Sequence, residues 1–198
     1  MANEKTAVLD RREVVGAILK QRNDALVVTG LGSCSYDAGV HDHKHTFYLW
    51  GGMGGAAMIG LGLALAQPAR RVLVITGDGE MLMGLGSFAT IGAERARNLA
   101  IVVIDNEIYS ETGMQATHTQ RGVELAGIAK ACSFPHAETI YSEKELERAI
   151  PQLYTREGPI FLDVKVTPKR YHLSMRLRDG THIKNRFREA LLGSKAFD

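Results

Sequence analysis

Short unbroken apolar runs alternate along this chain with longer segments whose apolar residues recur every three or four positions. The runs at 72–75 and 100–104 are rich in β-branched side chains and lack polar alternation, Leu26–Thr29 reads as a first buried strand and 160–166 as the last. That is the pattern of strands buried on both faces of a parallel sheet. Between them, residues 11–22 place Val14, Val15, Ile18 and Leu19 on one helical face, with Asp10 positioned to cap it. Ala56–Ala66 reads as a helix of small residues, and 79–96 as a helix lined by Met81, Leu82, Leu85, Phe88, Ile91 and Ala93. A further amphipathic helix is expected over 124–133. Another spans 142–154, where Ser142 and Glu145 have capping-box spacing and Gly158-Pro159 follows as a stop. The alternation predicts an α/β fold, a three-layer α/β/α arrangement around a mostly parallel sheet. Residues 1–198 read as one domain with a basic tail over 167–198, in which 185–192 forms a short terminal helix.

Chemistry gathers where two of these runs stop. The 72–75 run ends in Gly77-Asp78-Gly79 and the 100–104 run in Asp105-Asn106. Parallel strands joined by a helix leave their carboxyl ends on one sheet edge, where open α/β sheets take ligands. Asp78 offers a carboxylate and Asn106 an amide oxygen. A few hard oxygen donors suit Mg2+, which keeps further positions for phosphate oxygens and water. Gly77 and Gly79 permit a sharp turn and a close approach to phosphate. A helix beginning near Glu80 points its first N–H groups the same way. Taken alone, G-D-G is a common turn string and marks nothing more.

The full pattern is more specific. G-D-G at 77–79, a spacer of 25 residues and Asp105-Asn106 resemble the signature of the thiamine diphosphate-dependent enzymes, which reads G-D-G, a similar spacer and N-N. Asp105 replaces the first asparagine, and Asn106 stands at the ligand position. The resemblance extends over about residues 26–166 and implies a thiamine diphosphate-binding fold. By that resemblance, Asp78, the Asn106 side chain and the Ile108 carbonyl hold Mg2+. Cofactor contacts fall on Ser33 and Ser35 in the turn after the first strand, and on Gly77, Asp78, Gly79 and Glu80. Gly51, Gly52 and Met53 lie under the cofactor's centre, with Met53 propping it into a bent shape and the Gly51 carbonyl accepting from the aminopyrimidine. The N–H groups of Tyr109, Ser110 and Glu111 cover the diphosphate. The loop 107–119, with Thr112-Gly113-Met114-Gln115 at its centre, resembles phosphonopyruvate and sulfopyruvate decarboxylases and the β-chains of 2-oxoacid:ferredoxin oxidoreductases. Tyr109, Glu111, Thr112, Gln115 and His118 become candidates to face substrate, and Glu111, Gln115 and His118 are the expected catalytic residues.

The same resemblance implies what the chain lacks. In that family a glutamate on a separate pyrimidine-binding domain activates the cofactor, and only the diphosphate half is legible here. A pyrimidine-binding α subunit is therefore expected, with self-association to a dimer or higher. The expected reaction is non-oxidative decarboxylation of a small anionic 2-oxo acid. Alternatives are a carboligase of the acetolactate synthase type, a 2-oxoacid oxidoreductase β-chain and a non-catalytic scaffold. Cys34 and Cys132 are too few for the usual four-cysteine iron–sulfur cluster within this chain.

Composition adds limits. Lys and Arg number 24 against 22 Asp and Glu, so no global charge points to nucleic acid. The first residues carry no apolar core of signal-peptide length, and the apolar stretch 53–66 is glycine-rich and too short to span a bilayer. Two distant cysteines fit a reducing cytoplasm. His41, His43 and His45 alternate, so either a metal site or a solvated loop can be read there, or one histidine facing the active-site mouth. Glycines 51–55 do not match G-x-G-x-x-G, and no nicotinamide site is expected. The basic residues of the tail, among them Lys169, Arg170, His172, Arg176 and Arg186, read as a solvated face or as groups that steer an anion or meet a partner.

Overall fold

The computed structural model describes residues 8–171 and 177–197. The N-terminal stretch 1–7, and His172 and Arg176 of the basic tail, lie outside the described residues. Six strands form one wholly parallel sheet: β1 (Leu26–Thr29), β2 (Thr46–Tyr48), β3 (Val72–Gly77), β4 (Leu99–Asp105), β7 (His136–Ile140) and β8 (Ile160–Lys165). Their order is β2-β1-β3-β4-β8-β7. Two further short strands, β5 (Ile108–Tyr109) and β6 (Gln115–Ala116), pair antiparallel as a separate hairpin.

The central strands are buried at almost every position, as both-face burial demands. Each aliphatic side chain removed from water there contributes about 1.5–3 kcal/mol. On one face pack α1 (Arg11–Lys20) and α7 (Glu143–Thr155), through Val14, Ile18, Leu146 and Leu153. On the other lie α3 (Ala56–Ala66), α5 (Ser87–Glu94) and α6 (Leu125–Ala131), through Ala57, Leu61, Phe88, Ile91 and Leu125. The three-layer α/β/α expectation holds. Asp10 caps α1 by accepting from the Arg12 and Glu13 N–H groups, and the Ser142–Glu145 capping box opens α7.

Several elements differ from the sequence expectation. Residues after Gly32 form a short helix, α2 (Ser33–Gly39), rather than an open turn. The expected 79–96 helix is two, α4 (Asp78–Met83) and α5. The break has a packing cause: a Cβ at Gly84 would lie 2.3 Å from the Gly54 carbonyl oxygen, so the chain must thin where these two turns touch. The edge strand β7 is only half-buried and mixes polar with apolar residues, which hides it from a search for apolar runs. The terminal helix α8 (Gly180–Leu192) starts earlier than expected, capped by Asp179.

The chain leaves β1 toward β2 on one side and β3 on the other. The sheet's topological switch point therefore lies between β1 and β3, and a crevice opens outside their carboxyl ends.

Candidate active site

Three strand-end turns meet at that crevice. Behind Gly30, after β1, the Glu80 carboxylate lies across the backbone, and its Oε2 accepts the Leu31 N–H at 2.8 Å. A Cβ on Gly30 would fall 2.0 Å from that oxygen, so glycine is what lets α4 grip the β1 turn. Gly79 serves a similar purpose, because an added Cβ would come within 2.3 Å of the Tyr109 ring. The β5–β6 hairpin thus folds back onto the start of α4. Gly77 is the contrast: nothing lies within 4 Å of its would-be Cβ. It opens onto a cavity of roughly 600 Å3.

Asp78 and Asn106 line this one cavity. Gly77 pairs with Ile104 across β3 and β4, which sets the two residues at neighbouring strand tips. Asp78 is 2% exposed. Its Oδ2 accepts from the Thr117 hydroxyl at 2.6 Å and lies 3.3 Å from the Thr119 hydroxyl oxygen. Burial, and then the charge of Asp105, push its carboxyl up to about 7. Asn106 Oδ1 accepts the Ile108 N–H at 3.1 Å, closing a tight turn. Asp105 is fully buried. Its Oδ1 accepts from the Glu107 N–H and the Thr119 hydroxyl, both at 2.9 Å, and its Oδ2 is 2.7 Å from Lys165 Nζ. Glu80 is buried too, and burial raises its carboxyl above the ordinary value, against the Leu31 N–H, which lowers it.

The expected site residues divide. Ser33, Met53, Gly77, Gly79 and Glu80 line the cavity beside Asp78 and Asn106, as do Ile108, Tyr109 and Ser110 of the hairpin, and Glu111, Thr112 and His118. The Glu111 carboxylate lies so close over the β1 turn that a Cβ on Gly32 would meet Oε1 at 2.5 Å. Three expectations fall elsewhere. The Ser35 hydroxyl turns into the fold, bonding the Gly30 carbonyl and the Thr29 hydroxyl at 2.7 Å each, because α2 carries it inward. Gln115 is exposed and spends its amide on Thr112 within the hairpin. Gly51 and Gly52 are exposed and stand away from the cavity wall, leaving Met53 as that turn's contribution.

Two features escaped sequence reasoning. Arg11, the first residue of α1, is buried and lines the cavity, with Nη1 3.1 Å from Asp37 Oδ2. Nothing in its local sequence separates it from a surface arginine. Thr117 and Thr119, which hold Asp78, stand in the string T-H-T at 117–119, where alternate hydroxyls on one face were the available signal.

The three histidines at 41–45 do not converge. His41 leans on Gly16 of α1. His43 Nδ1 accepts the His45 N–H, and His45 Nε2 sits 3.2 Å from the Ala190 carbonyl of α8. Among the described residues no group of three or more His, Cys, Asp or Glu is placed to hold a metal.

The donor chemistry fits a cofactor of the expected kind. A carboxylate and an amide oxygen line one cavity beside a glycine turn with open space over it, a donor set that suits a hard cation and a diphosphate. The comparisons with known proteins agree. Residues 30–164 match the family described as thiamine pyrophosphate enzyme, C-terminal TPP binding domain. The chain is 35% identical to sulfopyruvate decarboxylase subunit beta of Methanothermobacter thermautotrophicus, over 94% of this chain and 98% of that one. It is 38% identical to phosphonopyruvate decarboxylase of Streptomyces viridochromogenes, over 73% of this chain but only 36% of that protein. An X-ray structure from Mycobacterium smegmatis, assigned as a thiamin diphosphate-dependent enzyme, superposes with a TM-score of 0.70 at 24% identity, over 82% of this chain and 33% of that one. Signature, fold and relatives coincide, and the chain belongs to the thiamine pyrophosphate enzymes, as a carboxy-lyase component carrying their C-terminal cofactor-binding domain.

Proposed function

We propose that this chain is the β-type, diphosphate-binding half of a Mg2+-dependent 2-oxo acid decarboxylase whose active site is completed by a pyrimidine-binding α chain. The observation that carries this reading is the convergence of Asp78 and Asn106, from adjacent strand tips, on one cavity walled by glycine turns. In it, Asp78, Asn106 and the Ile108 carbonyl hold Mg2+. Ser33, Glu80, the Gly77–Gly79 turn and the backbone at Tyr109 and Ser110 receive the diphosphate. Met53 offers an apolar wall beneath the cofactor. Bound there, thiamine diphosphate supplies the electron sink for loss of CO2 from a 2-oxo acid. Glu111 and His118 lie on the cavity wall where they can orient a substrate carboxylate or pass a proton. Gln115 stands outside it and is given no role.

Two observations favour the partner chain. The sequence spans nearly all of the sulfopyruvate decarboxylase β subunit but about a third of the phosphonopyruvate decarboxylase. In addition, α3 is apolar around its whole circumference and leaves Met58, Ile59 and Leu65 exposed, while Met83 and Leu85 stand exposed at the cavity itself. Such apolar exposure marks a surface that another chain covers. Association of two such α–β pairs follows from the symmetry of shared sites. The relatives point to a three-carbon substrate bearing sulfonate or phosphonate. No described helix is long and apolar enough to cross a membrane. Both cysteines are free, which fits a reducing, cytoplasmic setting.

The test is calorimetry with thiamine diphosphate and Mg2+, using this chain with and without its α partner, followed by CO2 release from sulfopyruvate, phosphonopyruvate and pyruvate. Mg2+-dependent cofactor binding and preference for the sulfonate or phosphonate acid are expected. Absence of Mg2+-dependent binding in the assembled complex would overturn the reading. Acetolactate from pyruvate would move the chain to the carboligases.

A further inference from the structure

We infer that Lys165 is a positioning residue for the metal-binding turn, acting through Asp105 and Glu107 to hold both Asn106 and Asp78 in place; this rests on the Mg2+ assignment above. The turn after β4 needs such a hold. Asn106 and Ile108 line the active-site cavity on one side and a second cavity of roughly 490 Å3 on the other. Glu107 within the turn adopts a left-handed backbone at φ 63, which a non-glycine residue keeps only where its surroundings enforce it.

Lys165 closes β8 and pairs in register with Asp105 on β4. Its ammonium sits 2.7 Å from Asp105 Oδ2 and 2.8 Å from Glu107 Oε1, so it straddles Asn106 from both flanks. The side chain is 11% exposed and that of Asp105 fully buried. With Oδ2 fixed, Asp105 Oδ1 accepts the Glu107 N–H and the Thr119 hydroxyl. Thr119 in turn lies 2.9 Å from the Thr117 hydroxyl, which donates to Asp78 at 2.6 Å. One cation therefore anchors a network of close polar contacts that runs from β8 to the carboxylate at the tip of β3. It also accounts for aspartate at 105, where the signature of related enzymes has an amide. A buried carboxylate needs a cation beside it, and a neutral amide does not. Asp105 and Lys165 work as a unit, and breaking one member leaves an uncompensated buried charge under the turn.

The test uses the full chain, with its α partner where binding requires it, and two readouts. The first is Mg2+ affinity in the presence of thiamine diphosphate. Lys165→Met should weaken it about 10- to 100-fold, as loss of support behind a metal ligand does. Lys165→Met combined with Asp105→Asn should recover most of that loss. The second is hydrogen exchange of the Glu107 and Ile108 amides in metal-free protein, which should speed up in Lys165→Met and slow again in the double variant. If Lys165→Met is too unstable to isolate, the comparison runs between Asp105→Asn and the double variant, where removing Lys165 should change affinity little. Wild-type affinity and exchange in Lys165→Met, or a double variant as weak as the two single losses combined, overturns the inference. Asp78→Ala serves as the reference: if it keeps Mg2+-dependent binding the metal assignment itself fails, whereas its loss beside an unaffected Lys165→Met sinks only the role of Lys165.

Discussion

The turn after β4 and the segment 41–45 before β2 both carry ligand-type side chains at close spacing, and they lie at opposite edges of the same sheet. At the carboxyl edge the donors are oxygens. Hydroxyls of Thr117 and Thr119 reach Asp78 from one side, and Asn106 folds onto its own backbone, so that both residues still face a common cavity. At the amino edge the donors are imidazoles, and each finds a different protein partner: Gly16 for His41, a neighbouring N–H for His43 and the end of α8 for His45. Ligand-type side chains are present at both edges. What separates the two is that parallel topology opens a crevice only at the switch point between β1 and β3, while the amino edge is closed by a docked helix.

The sharpest way to break this contrast is to delete one donor at each edge. Asp78→Ala should abolish Mg2+-dependent thiamine diphosphate binding, whereas His43→Ala should leave it unchanged, both read by calorimetry. The alanine also strands the Thr117 and Thr119 hydroxyls, at a cost to stability of about 1–3 kcal/mol. Asp78→Asn keeps an oxygen acceptor for those hydroxyls and should fold close to normally while still losing the cation. Cofactor binding that survives in Asp78→Asn with full Mg2+ dependence would erase the distinction between the two edges.

A smaller effect is expected at the glycine turn. Gly79→Ala drives a methyl to 2.3 Å from the Tyr109 ring, so the β5–β6 hairpin must lift away from α4. Overpacking of this kind costs about 1–3 kcal/mol, but the hairpin carries cavity-lining residues. Cofactor affinity should therefore fall more than the melting temperature does. Tyr109→Ala in the same chain should return part of the lost stability. If Gly79→Ala lowers stability and leaves affinity intact, the hairpin does not shape the site.

The parts of the molecule legible in sequence were those whose local pattern and tertiary role agree. β3 and β4 are apolar until their carboxyl ends because they are buried on both faces, and α1 and α7 carry caps at the positions their spacing indicates. β7 was illegible because an edge strand buries only part of itself, so His136, Glu138 and Thr139 interrupt the apolar run. The break between α4 and α5 depends on Gly84 touching Gly54, a contact no local window contains. The site shows the same division. Gly77, Asp78 and Asn106 are adjacent to strand ends and could be placed. Arg11 enters the cavity from the far end of the chain, and Ser35 leaves it because the residues after Gly32 coil into α2.

The smallest expected effect lies at the amino edge and asks whether the histidines there do anything besides fasten α8. Burial pushes both His43 and His45 below their ordinary value. Arg22 adds to this at His43, while at His45 the Ala190 carbonyl opposes it and Arg70 reinforces it. The neutral rings are thus favoured in the fold, and the sign follows: their contribution is complete above the unfolded histidine value of about 6.5 and is lost as pH falls through the lower folded values. Beside them Arg186 grips Asp42 with two bonds of 2.8 and 3.0 Å, and Tyr48 adds a third. Burial raises the Asp42 carboxyl, but these bonds outweigh it and hold it below the ordinary range, so that pair stays charged throughout the histidine window. Arg186→Gln should then lower stability by about 1 kcal/mol at any pH between 5 and 8. Compared with the wild type, a His43→Ala, His45→Ala variant should lose less melting temperature, or gain more, on acidification below about pH 6.5. An unchanged slope in that variant would mean that α8 is held by Arg186 and the Phe47–Phe187 contact alone, and that these rings are only filling.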